Sequence, residues 1–447
     1  MNVTIIGTGY IGLVQGAILA DLGLKVTCLD KNQNKIDALN NGEIPIYEPD
    51  LDNILQSAKT KGNISFKNLS KSAFKKANII FIAVGTPAKL DGTSELSYVE
   101  EAARTIGKNI DNDCIIITKS TVPVGTNKKI KKIIEKEIKN RNVKINFFIV
   151  SNPEFLREGK AVYDFLNPER IVIGIEENLS ENNKNFIHNK INTLYSYFIN
   201  KGVPIIFTNL ETAELSKYAA NSFLAAKISF INEMALLSEK VNANVEDISK
   251  IMGTDSRIAP NFLKAGIGYG GSCFPKDIMA ILDIGKENKC DMKIINSVAE
   301  VNEDMKKLLI NKIASKLKTL KGKTISILGL SFKPETDDIR FAPSLSIIKE
   351  LIGNGAFVKV YCPKGMENTK KELNHLSDFI EYSENEYECL KNSDSVILIT
   401  EWKQFEKIDL EKASKLMKQK YFFDFRNFFS KNDNIRNLFS YFPIGRN

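Results

Sequence analysis

Hydrophobic positions come in short continuous runs near the start of the chain. Val3-Thr4-Ile5-Ile6 is apolar and β-branched, the pattern of a strand buried on both faces. A glycine-rich turn follows, then an apolar helix predicted over 13–22, ended by Gly23. A second strand is predicted over 25–29, closing on Asp30. Further apolar runs predict strands over 78–84, 114–118 and 146–150. Each run passes into its own loop: Gly85-Thr86-Pro87, then Ser120-Thr121-Val122-Pro123-Val124-Gly125-Thr126, then Asn152-Pro153-Glu154-Phe155-Leu156-Arg157-Glu158-Gly159. A helical pattern fills 210–241 and is too apolar to face water all round. A second helical block is predicted over 277–317, and 318–323 reads as a domain boundary. The alternation then restarts, with strands over 324–328, 357–361, 395–400 and 421–425 and a helix over 344–353. Two α/β units with parallel sheets are therefore expected.

The turn Gly7-Thr8-Gly9-Tyr10-Ile11-Gly12 gives the first unit its chemistry. It follows a strand, opens a helix, and precedes an acidic residue, Asp30, by eighteen positions from Gly12. In that context the spacing predicts a dinucleotide site. Gly7 permits the tight turn, Gly9 lets a diphosphate approach, and Gly12 lets helix and strand pack. Asp30 suits the ribose hydroxyls and repels a 2′-phosphate, so NAD is expected over NADP, with Lys31 and Lys35 weakening the preference slightly. In open α/β sheets ligands sit beyond the carboxyl ends of the strands, so the three later loops are candidates to line one crevice. The second unit lacks the three-glycine turn and is not expected to hold a second dinucleotide; Lys333 and Arg340, after its first strand, are candidates to reach phosphates.

Composition narrows the classes. At 447 residues, 43% hydrophobic and 26% charged, the chain is long enough for two or three soluble domains. No stretch approaches a membrane span, and no basic segment with a cleavage site precedes the first strand, which gives the expectation of a cytoplasmic protein. Six scattered cysteines without a Cys-x-x-Cys pair argue against zinc or a disulfide framework. The two histidines, His188 and His375, lie in polar segments, so the chemistry is expected to use Cys, Lys, Asp, Glu, Thr and Asn, with no metal. The net charge of +8 is spread over the whole chain; it reads as solvated helix faces rather than a nucleic-acid surface, and it favours an anionic small substrate.

The stretch Gly268-Tyr269-Gly270-Gly271-Ser272-Cys273-Phe274-Pro275-Lys276-Asp277 sets one thiol among glycines. A helix starting near Pro275 puts Cys273 at its N-terminus, where the dipole and Lys276 are expected to favour the thiolate. Asp277 is then placed to hold or deprotonate a water. Lys217 and Asn221 share one face of the long helix. A nicotinamide site, a thiolate and this polar set together suit a four-electron oxidation: alcohol to aldehyde, capture by sulfur, second hydride loss to a thioester, hydrolysis to an acid. Two other readings fit part of the pattern. A two-electron hydroxyacid-type dehydrogenase leaves Cys273 without a use. An NAD-binding redox sensor leaves Lys217, Asn221, Glu154 and Asp277 without one.

On the blocks 7–14, 85–87, 120–126, 152–159, 217–221, 270–277 and 329–340, the chain resembles the UDP-glucose/GDP-mannose dehydrogenase family over nearly its whole length. The resemblance implies two Rossmann-like domains with parallel sheets joined by a long central helix that forms a homodimer core. The implied division is 1–200 for NAD, 201–317 for dimerisation and 318–447 for the UDP-sugar. It further implies Cys273 as nucleophile, Lys217 and Asn221 as oxyanion partners, Asp277 and Thr121 around the hydrolytic water, and Glu154 in hydrolysis and proton transfer. The first deprotonation of the alcohol is left open between Lys217 and a water held by Thr121 and Asp277. Implied cofactor contacts are Gly7, Gly9, Tyr10, Ile11, Gly12, Asp30, Lys35, Thr86, Thr121, Glu158, Lys276 and Arg340. Implied substrate contacts are Glu154, Phe155, Leu156, Arg157, Glu158, Lys217, Asn221, Arg257, Phe262, Leu263, Lys264, Ala265, Gly266, Gly270 and Lys333. The 152–159 loop with Asn167-Pro168-Glu169-Arg170 resembles members acting on UDP-glucose, whose product UDP-glucuronate is a precursor for capsule or other surface polysaccharides; UDP-N-acetylhexosamine and GDP-mannose are the alternative substrates. Phe341-Ala342-Pro343 departs from the family, which often has Ser or Glu near this position.

Overall fold

A computed structural model describes residues 1–89 and 92–446. The chain divides into two compact units, Met1–Ala219 and Ala220–Asn447.

The first unit is built on an eight-stranded sheet. Its strands are β1 (Asn2–Ile6), β2 (Lys25–Asp30), β3 (Ile64–Asn68), β4 (Ile79–Ile82), β5 (Cys114–Thr118), β6 (Phe147–Ser151), β7 (Ile171–Ile175) and β8 (Ile205–Asn209). They lie in the order β3-β2-β1-β4-β5-β6-β7-β8, and the first six follow the doubly wound dinucleotide-binding order. Every pairing is parallel except β6 with β7, where Ser151 opposes Gly174. That junction departs from the all-parallel expectation. It falls where the 152–159 loop and the six-residue helix Ala161–Leu166 return the chain without a long crossover helix. Both faces are covered, one by a core around Ile5, Leu13, Phe81 and Ile173, the other by a core around Phe74, Ile80, Ile116 and Ile134. Burial on both sides is why these strands read as unbroken apolar runs.

Helix α1 (Tyr10–Asp21) packs on β1 and β2 with hardly a polar position. The turn before it needs its glycines. Gly7 has φ +102°, and a Cβ at Gly12 would sit 2.0 Å from the Gly7 carbonyl oxygen. Around Gly9, by contrast, there is open space.

The second unit carries a six-stranded parallel sheet: β9 (Thr324–Leu328), β10 (Phe357–Tyr361), β11 (Ile380–Tyr382), β12 (Ser395–Leu398), β13 (Tyr421–Asp424) and β14 (Ser440–Pro443). Its order, β11-β10-β9-β12-β13-β14, repeats the first six positions of the other sheet. Its turn does not. Gly329 after β9 has φ +91°, and a Cβ there would press on Thr400 at 2.5 Å. Strands β3, β7, β8, β11 and β14 fall outside the predicted set; Ile64-Ser65-Phe66-Lys67-Asn68 and Ile380-Glu381-Tyr382 are edge strands whose polar positions hide the signal.

The predicted central helix is present over Leu210–Val241, running from one unit into the next. The block predicted over 277–317 is two helices, Phe274–Glu287 and Lys293–Leu317. Lys289 takes φ +55° between them, and Gly285, which has no room for a Cβ beside Met292, accepts the turn-closing bond from the Cys290 amide. Among the described residues no helix is long and apolar enough to cross a membrane.

Candidate active site

In the first unit the candidate residues collect at the carboxyl ends of the strands. The N-terminus of α1 has no side-chain cap and no acid in its first turn. Its partial positive charge is therefore left for an anion. Asp30 ends β2. Its carboxylate accepts from the Thr8 hydroxyl at 2.7 Å, the Thr8 amide at 3.1 Å and the Asn32 amide at 3.1 Å, with Lys35 Nζ at 3.5 Å. Burial raises its proton affinity, but these bonds and Lys35 outweigh burial and hold it below the usual carboxylate range. Tyr10 donates to the Tyr47 carbonyl oxygen at 3.1 Å, and Ile11 is half-buried beside it. Open space at Gly9, an uncapped helix end and a fixed carboxylate after β2 fit the diphosphate and ribose of NAD.

The next two loops are tied together. Thr86 is buried and donates to the Thr121 carbonyl oxygen at 2.8 Å. The loop after β5 is also anchored on the central helix: Glu214 accepts from the Gly125 amide at 2.6 Å and the Asn127 amide at 2.8 Å. The 152–159 loop is anchored by Glu48, which accepts from the Gly159 and Ala161 amides at 2.7 and 2.6 Å. These pins leave Glu158 half-buried, while Arg157 points outward in an ion pair with Asp164 at 2.6 Å.

The densest electrostatics lie one helical turn beyond Glu214. Lys217 Nζ stands 3.1 Å from Glu154 Oε1, with the side chains 4% and 6% exposed. Lys217 also lies over the Phe155 ring, 5.5 Å from its centroid, and the Arg170 guanidinium lies 4.0 Å from the same centroid. Glu154 further accepts from the Leu156 amide at 2.5 Å. Burial pushes its proton affinity up, yet Lys217, the Leu156 amide and the nearby Lys119 together keep it ionised. Lys119 is absent from the sequence-based set. Its only signal was position, a lysine directly after the apolar run of β5. It is buried and donates to Asn152 Oδ1 at 3.0 Å.

In the second unit, Cys273 is the N-cap residue of Phe274–Glu287, with Pro275 in the first turn as expected. Cys273 is half-buried, and Ser272 Oγ lies 3.6 Å from its Sγ. Asp277 lies one turn on, 1% exposed. Its Oδ2 accepts from Asn221 Nδ2 at 2.6 Å and its Oδ1 meets Lys276 Nζ at 2.5 Å. The structure thus joins Asn221, Asp277 and Lys276 directly. Neighbouring glycines let the backbone close in: the Gly271 amide donates to the Arg340 carbonyl oxygen at 2.8 Å, and a Cβ at Gly270 would lie 2.3 Å from the Phe341 carbonyl oxygen. Arg340 is gripped through its guanidinium by Asp338, at 2.9 and 2.7 Å, and Lys333 lies 5.3 Å from the Phe332 ring centroid. The loop with Phe262, Leu263, Lys264, Ala265 and Gly266 is fixed at both ends, by Ser249 on the Leu263 carbonyl and by Asn232 Oδ1 on the Gly266 amide. Phe262 takes φ +66°, and Lys264 is exposed. Arg257 is 87% exposed and held in solvent by Asp255. Among the described residues no group of His, Cys, Asp and Glu is placed to hold a metal ion.

Comparison with known proteins finds three matching family domains along the chain. The UDP-glucose/GDP-mannose dehydrogenase family matches with its NAD binding domain at 1–199, its central domain at 211–304 and its UDP binding domain at 326–431. A UDP-glucose 6-dehydrogenase of Rhizobium meliloti is 41% identical over 448 residues, covering 100% of both chains. One of Bacillus subtilis is 42% identical over 445 residues, covering 100% of this chain and 93% of the relative. Among solved structures, a UDP-glucose dehydrogenase from the hyperthermophilic archaeon Pyrobaculum islandicum superposes with a TM-score of 0.86 at 35% identity, covering 95% and 94%. A UDP-D-ManNAc dehydrogenase from Pyrococcus horikoshii gives 0.85 at 27%, covering 100% and 99%.

Two outcomes test the geometry. Asp30→Ala should narrow the preference for NAD over NADP by roughly tenfold or more, since it removes a charged hydrogen-bond acceptor and its repulsion of a 2′-phosphate; equal preference before and after, by binding titration of both cofactors, excludes Asp30. Lys217→Met should leave Glu154 buried beside a lost partner and cost about 3–5 kcal/mol at neutral pH in urea melts. Glu154 is held ionised in the native fold, so its contribution is present above the unfolded carboxylate range and fades as pH falls through it. The gap between wild type and variant should therefore shrink on acidification.

Proposed function

The chain belongs to the UDP-glucose/GDP-mannose dehydrogenase family and is an NAD-dependent oxidoreductase, and from that premise we propose that it oxidises UDP-glucose to UDP-glucuronate through a Cys273 thioester. The observation that carries this reading is the cysteine loop: a half-buried cysteine at a helix N-terminus, with the Asp277 carboxylate one turn beyond it and bonded to Asn221. A two-electron dehydrogenase has no need of that thiol.

Bound NAD supplies the hydride acceptor for each of the two oxidations. The work of the chain's own residues follows from their chemistry. Cys273 sulfur adds to the aldehyde carbon, and the carbonyl electron pair moves to oxygen. Lys217 and Asn221, one turn apart on the central helix, stabilise that oxyanion. After the second oxidation the carbon is held as a thioester. Water adds to it, the Cys273 thiolate leaves, and the carboxylate is released. Asp277 and Thr121 hold the water, and Glu154 takes up protons in hydrolysis. The cofactor is held by the 7–12 turn, Asp30, Lys35, Thr86, Glu158, Lys276 and Arg340. The nucleotide sugar is held by the 154–158 and 262–266 segments with Arg257, Gly270 and Lys333. The three-part division at 200 and 317 remains our reading of how these tasks are distributed, and we place the enzyme in the cytoplasm.

A second substrate reading, UDP-N-acetylmannosamine, has the likeness to the Pyrococcus horikoshii protein in its favour. The identity and coverage of the UDP-glucose 6-dehydrogenases favour UDP-glucose. We also read the chain as a homodimer. Phe223, Phe230, Leu237 and Val241 project from the central helix in the second unit with large exposed apolar surface.

Two NADH per UDP-glucose consumed is expected from the wild type, and no glucuronate from Cys273→Ser, whose hydroxyl does not ionise near neutral pH. One NADH per sugar removes the thioester step, and two NADH with UDP-N-acetylmannosamine alone corrects the substrate. Light scattering should return twice the chain mass, and Phe223→Glu with Phe230→Glu should return the chain mass; a wild-type monomer sinks the dimer.

A further inference from the structure

Lys119 is an ionisable side chain buried in the first unit for which neither the fold nor the proposed reaction has yet found a use. It leaves the carboxyl end of β5 and reaches inward, donating to Asn152 Oδ1 at 3.0 Å. That oxygen is fixed in place. Asn152 Nδ2 donates to the Val172 carbonyl at 2.8 Å, so the amide cannot turn over without losing that bond, and Tyr195 donates to the same Oδ1 at 2.6 Å. Tyr195 is buried and kept protonated. Among the described residues no carboxylate is bonded to the Lys119 ammonium directly. The charges that face it are Glu154, from the loop after β6, and Lys217, from the central helix. Two buried ammonium groups therefore share one buried carboxylate.

We propose that Lys119 is a positioning residue whose charge sets the proton affinities of the Glu154–Lys217 pair. The inference rests on the reading that Glu154 and Lys217 work in the oxidation. The physical argument is one of sign. A positive Lys119 makes it easier for Lys217 to lose a proton and harder for Glu154 to gain one. When Lys119 is neutral, the trio falls from a net charge of +1 to zero, and both neighbours hold protons more tightly. Burial pushes the Lys119 ammonium down to about 8, Glu154 partly opposes that, and Lys217 adds to it. Its charge is thus lost within the range over which an enzyme works. Asn152 matters because it holds the ammonium with a neutral acceptor. A carboxylate in its place would lock the proton on.

Lys119→Met should raise the protonation midpoint of Glu154, which titrates while Lys119 is charged, by about one pH unit, and Lys119→Arg should lower that of Lys217. Lys217 is read directly by NMR of ¹³Cε-labelled lysine, its resonance assigned by loss in Lys217→Arg. In turnover of UDP-glucose, the acid limb of the kcat profile should move to higher pH in Lys119→Met. Lys119→Arg keeps the charge at every pH, so the acid limb should stay and the alkaline limb should move down. A role confined to packing lowers kcat equally at all pH and moves no midpoint; that result in Lys119→Met overturns the proposal. If Lys119→Met does not fold, Lys119→Arg decides, and an unchanged Lys217 midpoint overturns it. The NMR titration needs no turnover, so a wild type inactive on UDP-glucose would defeat the substrate reading and leave this test standing.

Discussion

The buried ion pair between Lys217 and Glu154 is the constraint on which the first unit's functional end depends. An ammonium and a carboxylate removed from water must find each other, because either alone would be expelled or neutralised. Meeting that condition ties the loop after β6 to the first turns of the central helix. One turn earlier on the same helix, Glu214 binds the amides at 125 and 127 and ties down the loop after β5. Thr86 then links the loop after β4 to Thr121. Three strand ends that are far apart in sequence are so held in one arrangement, by polar contacts in places where a purely apolar core would allow sliding.

The second unit solves a different problem. In the reaction we propose its thiol must be reachable, so it cannot be packed like the buried cysteines at 28, 114 and 389, which burial pushes up to about 12 and leaves inert. The solution is a half-buried N-cap position, with glycines on its approach that admit the backbone at 340 and 341. The fixed element beside it is Asp277, buried and shared between Asn221 and Lys276. Two rigid bonds on one carboxylate determine where its remaining lone pairs point.

Two sheets of the same strand order carry different turns, and the difference is steric. After β1 the glycines leave space at Gly9 and an uncapped helix end. After β9 the single glycine is filled in by Thr400. Equal topology therefore gives a cradle for a diphosphate in one unit and a packed corner in the other. Loops, rather than strand order, carry the distinction.

Residues 2–30 and 268–277 were legible from the chain alone because their chemistry is local. A glycine that must take positive φ, a proline in a first helical turn and an acid closing a strand all act within a few residues of themselves. The long helix over Leu210–Val241 was equally plain, since thirty-two residues of one period leave no alternative. The edge strands β3 and β11 were hidden by their polar positions, and the break at 288–292 by the continuous helical propensity around it. The partners of the site's charges were beyond the sequence altogether. Nothing in the order of residues says that Lys217 meets Glu154, that Asn221 rather than water takes one oxygen of Asp277, or that Lys119 is buried. Those pairings join distant segments, 33 positions apart for Lys119 and Asn152 and 56 for Asn221 and Asp277, and only the packing of sheets and helices decides which buried charge finds which partner.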